Sequence, residues 1–170
     1  MPSLMRFEFE TAPGGRGEED NPVKLGVLAD VLGEFIALRR PAACENVSAS
    51  LSFLDEPGMR ALNKRYRGVD ESTDVLSFPL WEENGVFSPP ADWPELPLGD
   101  VVVSLSYVRR NAEISKVDYN DEITLVIVHG VLHLVGYDHD TEEREREMWR
   151  EQETLARRYN EIIQGGLMSA

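Results

Sequence analysis

Apolar and polar residues recur along this chain of 170 residues with two periods, one typical of helices and one typical of strands. Between residues 23 and 39 the apolar residues return every three or four positions, which predicts an amphipathic helix. Helical periods, capping residues and Pro57 in a first turn predict four more helices: 57–67, 106–116 with Ser106 as N-cap, one that opens at Asn120 or Asp121, and one from Thr141 to about Ile163. Trp149 is expected on the core face of the last helix.

Alternating or continuous apolar residues predict four strands, at 4–10, 47–54, 75–78 and 100–105. In the second of these, one face carries Val47, Ala49, Leu51 and Phe53. The resulting order, β-α-β-α-β-β-α-α-α, predicts an α+β fold: a small mixed sheet of about four strands covered by about five helices.

Two segments have no clear period and predict loops. Residues 12–22 are rich in Gly, Glu and Pro and are expected to be flexible. Residues 82–97 hold four of the ten prolines and predict a surface loop, which is a candidate lid. Trp81 and Trp93 flank that loop; packing of the loop onto the core is their expected role, and base stacking is the alternative.

Size and charge limit the classes of protein that this chain can be. Its length fits a single domain, 1–170, with flexible ends over 1–22 and 164–170. A net charge of −14 argues against a protein that coats nucleic acid non-specifically, and no DNA partner is expected. A cleft flanked by basic residues can still hold RNA. Two basic groups are present: Arg60, Lys64, Arg65 and Arg67, and Arg109, Arg110 and Lys116.

Cysteine content and hydropathy predict a cytoplasmic protein with no membrane partner. No apolar run is long enough to cross a bilayer, and the first residues lack the apolar core of a signal peptide. The single cysteine, Cys44, excludes an internal disulfide framework. It is expected to be a small buried or loop residue rather than a ligand.

All three histidines of the chain lie within eleven residues, with the spacing H-x3-H-x2-G-x2-H. His129 and His133 are four apart, so a helix places them on one face. Gly136 can take the left-handed conformation that ends a helix, and the turn can bring His139 back to the other two. Three imidazoles on one side of a metal, with one position left open, are typical of a catalytic zinc site.

The same spacing occurs in the metzincin signature H-E-x-x-H-x-x-G-x-x-H. The glutamate that activates water in those peptidases corresponds to Gly130, which can neither accept a proton nor orient water. The sequence therefore contains the metal ligands without the general base of a peptidase.

Three segments together resemble the YbeY family of bacterial endoribonucleases. They are HGVLHLVGYDHD at 129–140, LNKRYRGVDESTDVLSFP at 62–79 and LGDVVVS at 98–104. They follow the family's order and cover about 47–160, whereas the first forty residues carry no signature.

The resemblance implies a single-strand-specific, metal-dependent endoribonuclease. It implies action in ribosomal RNA maturation, including the 3′ end of the small-subunit RNA, and in ribosome quality control. Ribosomal small-subunit proteins and assembly factors are implied as possible partners. It further implies one zinc ion held by His129, His133 and His139, and a functional arginine at Arg67.

The chemistry expected at this site has parts that the sequence leaves open. Zinc can lower the pKa of bound water to about 7 or polarise a phosphoryl oxygen, and Arg67 can grip a phosphate with two parallel donors. Asp138 either orients a histidine or caps a turn. Asp74 and Asp100 either bond the backbone, contact a partner or pair with Arg67.

Two other functions share these residues. One is a zinc-dependent hydrolase that is not a nuclease. The other is a ribosome-assembly factor that binds without cutting and uses zinc for stability, for which an acidic surface suits docking to basic ribosomal proteins.

Overall fold

A computed structural model describes residues 5–11, 20–39, 41 and 43–169, with side chains as far as 166. Within these ranges the helices are α1 (Leu25–Ala37), α2 (Glu56–Arg67), α3 (Leu105–Ser115), α4 (Tyr119–Leu134) and α5 (Glu142–Ser169). The strands are β1 (Arg6–Thr11), β2 (Asn46–Phe53), β3 (Val75–Pro79), β4 (Glu82–Glu83), β5 (Val86–Phe87) and β6 (Glu95–Val103). Most of the predicted loop 12–22 lies outside the described residues.

In the part of the chain that the structure describes, the main sheet has four strands in the order β1-β2-β6-β3. β1, β2 and β6 are parallel, and β3 pairs antiparallel with β6, from Val75 opposite Val103 to Pro79 opposite Gly99. Pro79 ends an edge strand, where a missing N–H donor is tolerated. The predicted α+β class, with a mixed sheet of four strands and five helices, is confirmed.

The two faces of the sheet are covered unequally. The predicted face of β2 is buried and packs in the larger core with α1, α4 and α5. α2 covers the opposite face through a small cluster of Met59, Leu76 and Val102. Because α4 lies between the sheet and α5, it is apolar on nearly all sides. Packing on both flanks fixes the orientation of this helix.

The N-caps of two helices lie earlier in the chain than the sequence predicted. The N-cap of α3 is Ser104, not Ser106: Ser104 is fully buried, and its hydroxyl accepts a hydrogen bond from the Tyr107 amide. The N-cap of α4 is Asp118, not Asn120 or Asp121, because the Asp118 carboxylate accepts from the amide three residues later.

The predicted surface loop 82–97 is wrong in part, because it contains a small hairpin and the start of β6. β4 and β5 are joined by Asn84 and Gly85, which both have positive φ, as a two-residue type I′ turn requires. β6 begins at Glu95, five residues before the prediction. It accommodates Pro97 where its pairing with β2 is irregular.

The aromatic residues that flank this segment pack against each other. Trp81 and Trp93 meet edge to face at 5.1 Å, and the Trp81 indole donates to the carbonyl of Pro97. Trp81 also packs against the main core, which is the expected role for this residue. Trp93 remains 44% exposed.

The last helix departs from prediction at two points. α5 runs to Ser169, beyond Ile163. Trp149 is 52% exposed, so its predicted place on the core face is wrong. The buried face of α5 instead carries Met148, Gln152 and Tyr159, and Trp149 is turned about 100° from the adjacent Met148. None of the described helices combines the length and apolar character that a bilayer-spanning segment needs.

Candidate metal centre

Helix α4 and the turn after it bring the three histidines together as predicted. His129 and His133 lie in the last two turns of α4, which ends at Leu134. Gly136 has a φ of +94°, in the region that favours glycine. The chain reverses there, and His139 returns to the other two rings.

The ligand atoms of the three rings converge on one point. One nitrogen from each ring lies within 4.8 Å of the others, and the Nε2 atoms of His129 and His133 are 3.0 Å apart. A tetrahedral zinc with Zn–N bonds of about 2.0–2.1 Å needs ligand nitrogens about 3.3–3.5 Å apart, so small ring movements suffice. The donor set therefore fits a metal ion with one position left open.

Two hydrogen bonds orient the helical rings with their Nε2 atoms towards this point. His133 Nδ1 donates to the carbonyl of Tyr137 at 2.8 Å, which fixes its tautomer and leaves Nε2 free as an acceptor. His129 Nδ1 lies 2.8 Å from Oε1 of Gln152. Partners of this kind hold a metal-binding ring in place and raise its basicity.

Burial keeps the helical rings neutral near pH 7. Desolvation is the main cause that lowers the pKa of His133 to about 4, and the neighbouring His129 adds to it. Desolvation also lowers the pKa of His129, against an opposing effect of the Gln152 hydrogen bond. A neutral imidazole is the form that binds a metal, so these ligands need no deprotonation at neutral pH.

The histidines form one wall of a cleft of about 460 Å³. Arg67, the last residue of α2, lies at the cleft, and Gly68 ends that helix with a positive φ. The remaining lining comes from the segment before β3, from β3, from the hairpin, and from the turn at 136–140 between α4 and α5, here called the metal turn. These residues are Thr73, Asp74, Val75, Ser77, Pro79, Glu82, Gly136, Tyr137 and Asp138. The structure thus brings together all four residues that the sequence predicted for the site.

The three aspartates whose roles were open behave differently. Asp138 accepts a hydrogen bond from the His139 amide at 2.8 Å, as a turn residue does. Asp74 accepts from the Val75 amide at 2.7 Å and lines the cleft. Asp100 is exposed on β6 and is not among the residues that line the cleft.

Gly130, at the position of the metzincin base, faces the sheet. A Cβ there would lie 2.6 Å from Cγ1 of Val101 and 3.2 Å from Cγ2 of Val75. A hydrogen bond also joins β3 and α4 at this point, because the Ser77 hydroxyl donates to the Gly130 carbonyl at 2.9 Å. A glutamate at 130 would therefore meet the packed sheet, so this position cannot supply a peptidase base.

Gln152 is the site residue that reasoning from the sequence missed. It is only 6% exposed, and it follows Met148 by four residues on the buried face of α5. A polar residue at a core position of an amphipathic helix needs a buried partner. That pattern was the available signal, but the many charged residues of α5 hid it.

Fold and site together define a small α+β protein with a group of three histidines that could hold a metal ion. The family model described as Endoribonuclease YbeY matches residues 21–160. The chain belongs to the YbeY family.

Relatives and a solved structure agree with this assignment. Endoribonuclease YbeY of Caldanaerobacter subterraneus subsp. tengcongensis is 42% identical over 120 residues, 68% of this chain and 75% of the relative. The protein of the same name from Geobacillus kaustophilus is 43% identical over 128 residues, 72% of this chain and 81% of the relative. The solution structure of TM1509 from Thermotoga maritima superposes with a TM-score of 0.61 at 26% identity, covering 94% of this chain and 93% of that one.

Proposed function

We propose that this protein is a zinc-dependent endoribonuclease that cleaves single-stranded RNA in the maturation and quality control of ribosomal RNA. The observation that carries the proposal is the placement of a three-histidine ligand set and Arg67 on the walls of one cleft. Membership of the YbeY family supplies the substrate class.

His129, His133 and His139 are the proposed ligands, and zinc is the proposed ion. Three neutral imidazoles with an open fourth position suit zinc in a catalytic site. When bound, zinc supplies a Lewis acid for a phosphoryl oxygen and lowers the pKa of a bound water.

The chain's own residues hold the RNA in this proposal. Arg67 projects into the cleft from the end of α2 and binds the scissile phosphate through its planar fork of donors. The positive guanidinium of Arg67 stabilises the negative charge that develops on the phosphoryl oxygens as the phosphodiester bond breaks. The hydrogen bonds that the His133 and His129 rings donate to Tyr137 and Gln152 keep these rings fixed during this step.

The cellular context follows from the substrate. Ribosomal small-subunit proteins and assembly factors are proposed partners, because the acidic chain, with a net charge of −14, complements basic ribosomal proteins. The cytoplasm is the proposed location. A single domain over 1–170 is the proposed organisation.

Metal content and RNA cleavage, measured on the same samples, test the proposal. The wild type is expected to hold one zinc and to cut a defined single-stranded RNA but not its duplex or the matching DNA. His139→Ala removes the most exposed ligand, so it should fold, lose zinc and lose cleavage. Asp100→Asn is the control, since Asp100 is exposed on β6 and is not among the residues that line the cleft.

The two alternative functions predict different results. Hydrolysis of peptides or amides without RNA cleavage would replace the nuclease by another hydrolase. RNA binding without turnover in the zinc-loaded wild type would favour an assembly factor with a structural zinc.

A further inference from the structure

The guanidinium of Arg144, in the first turn of α5, links two segments of the cleft wall. Nη2 donates to the carbonyls of Gly85 and Gly136, each at 3.0 Å. Nη1 donates to both carboxylate oxygens of Asp140, at 3.0 and 3.1 Å. One side chain therefore joins the tip of the β4–β5 hairpin, the residue that reverses the chain after α4, and the residue that follows His139.

The hairpin and the metal turn also touch directly. A Cβ at Gly136 would lie 3.1 Å from both the Cβ and the amide nitrogen of Phe87. Glu82, the first residue of the hairpin, lines the metal cleft, and its carboxylate accepts from the Gly85 amide. The hairpin is thus packed as a wall beside the turn, and Arg144 fastens the two together.

The turn needs such support because only two of the three ligands lie on a helix. His129 and His133 are fixed by α4 and by hydrogen bonds to their rings. His139 lies in the connection between α4 and α5 and is exposed. Its position depends on the backbone from Gly136 to Asp140, and Arg144 binds that segment at both ends.

We propose that Arg144 is a positioning residue, which holds the His139 turn and the β4–β5 hairpin in one arrangement and thereby preorganises the third metal ligand. This inference rests on the proposed zinc site. It adds a residue that touches neither metal nor substrate and acts through the turn backbone.

Charge alone would give the opposite effect. A guanidinium near a cation site disfavours the cation, so removing it should tighten zinc binding if only electrostatics mattered. Loss of positioning should weaken zinc binding instead. The sign of the change therefore separates the two explanations.

Amide hydrogen exchange of the metal-free protein is the first part of the test. The Gly136 and Tyr137 amides are hydrogen-bonded to α4 carbonyls, and the Gly85 and Ser88 amides are bonded within the hairpin region. Arg144→Ala should speed exchange in both segments together. Arg146→Ala is the matched control, because Arg146 lies on the same helix and its Nε donates to the Glu142 carbonyl one turn back.

Zinc affinity, measured by competition with a chromogenic chelator, is the second part. Arg144→Ala should weaken it roughly tenfold, at the low end of the range for residues that support metal ligands. Arg144→Lys keeps the charge but lacks the planar fork, so it should recover only part of the affinity. Asp140→Asn changes an exposed side chain, and it should show a smaller loss without a folding defect.

Several results would overturn the proposal. They are unchanged exchange in both segments of Arg144→Ala, tighter zinc binding in that variant, or full recovery by lysine. If Arg144→Ala lowers the thermal midpoint but does not speed amide exchange in these two segments, Arg144 contributes to general stability instead. A wild type that binds no zinc would refute the metal site, while the exchange data would still decide whether Arg144 joins turn and hairpin.

Discussion

Gln152 and His129 face each other across the α4–α5 interface, with Oε1 of the amide 2.8 Å from Nδ1 of the imidazole. The contact joins a ligand of the proposed zinc site to a buried side chain of a different helix. It holds the His129 proton on Nδ1 when the amide oxygen accepts, which leaves Nε2 for the metal.

Replacement of Gln152 by Leu is expected to weaken zinc binding by about 10- to 100-fold, because the His129 ring loses its acceptor and its fixed tautomer. Gln152→Glu should restore or exceed wild-type affinity, since a carboxylate accepts the same proton more strongly. Chelator competition measures both. Equal affinities in the Leu and Glu variants would remove Gln152 from the metal site.

Gly130→Ala is expected to destabilise the protein by about 1–3 kcal/mol, since the new methyl group meets Val101 and Val75 between α4 and the sheet. Gly26→Ala, in α1, is the matched control: it has open space around its Cβ and should stabilise by up to about 1 kcal/mol. Urea denaturation compares them. Gly130→Glu should fail to fold rather than gain peptidase activity. A stable Gly130→Ala variant would show that the helix can move from the sheet.

The metal-free protein is expected to lose stability as pH falls from about 6.5 to about 4. In the folded state burial lowers the pKa of His133 to about 4, whereas in the unfolded chain the same imidazole has its ordinary pKa of about 6.5. Between these values the unfolded chain binds more protons, so acid favours unfolding. His133→Gln should reduce this loss by about 2 kcal/mol.

Urea denaturation of both proteins across this pH range, without metal, checks the result. Parallel curves for wild type and His133→Gln would contradict it. Zinc binding should weaken over the same interval, because protons compete for the ligand nitrogens.

Arg67→Ala is expected to slow RNA cleavage roughly 10- to 100-fold while zinc content stays unchanged, which corresponds to about 1.5–3 kcal/mol for a hydrogen bond to a charged group. Arg67→Glu should abolish cleavage. The control is Arg65→Ala, because Arg65 is an exposed arginine of the same helix whose guanidinium lies over Tyr66. Single-turnover rates and elemental analysis measure the two quantities. Equal rates in the two alanine variants would exclude Arg67 from the mechanism.

Local spacing explains which parts of this molecule the sequence predicted well. The histidine cluster depends on helical period and on one glycine turn, and both are visible within eleven residues. β2 was predicted nearly to its ends, because its alternating residues face one core.

Features set by distant contacts were harder to predict. Strands of two residues, such as β4 and β5, carry no period, although the Asn84–Gly85 dipeptide favours a hairpin turn. The prediction for Trp149 was wrong because it followed from hydrophobicity alone. Met148 occupies the buried face of α5, and the next residue in a helix points about 100° away from it. The partnership of Gln152 with His129 depends on how α5 crosses α4, and the spacing of residues in one helix does not determine that.

The proposed metal ligands and the proposed phosphate-binding residue Arg67 differ in how much of the chain must be ordered to bring them together. The three histidines close a loop of only eleven residues, whereas Arg67 joins them across about sixty residues through α2, β3 and β6. The entropic cost of closing the connection of about sixty residues is roughly 1.5 kcal/mol higher than that of closing the eleven-residue loop. Loosening of the sheet edge at β3 should therefore separate Arg67 from the ligands before it disperses the ligands themselves. A partly unfolded chain would then capture zinc without cutting RNA.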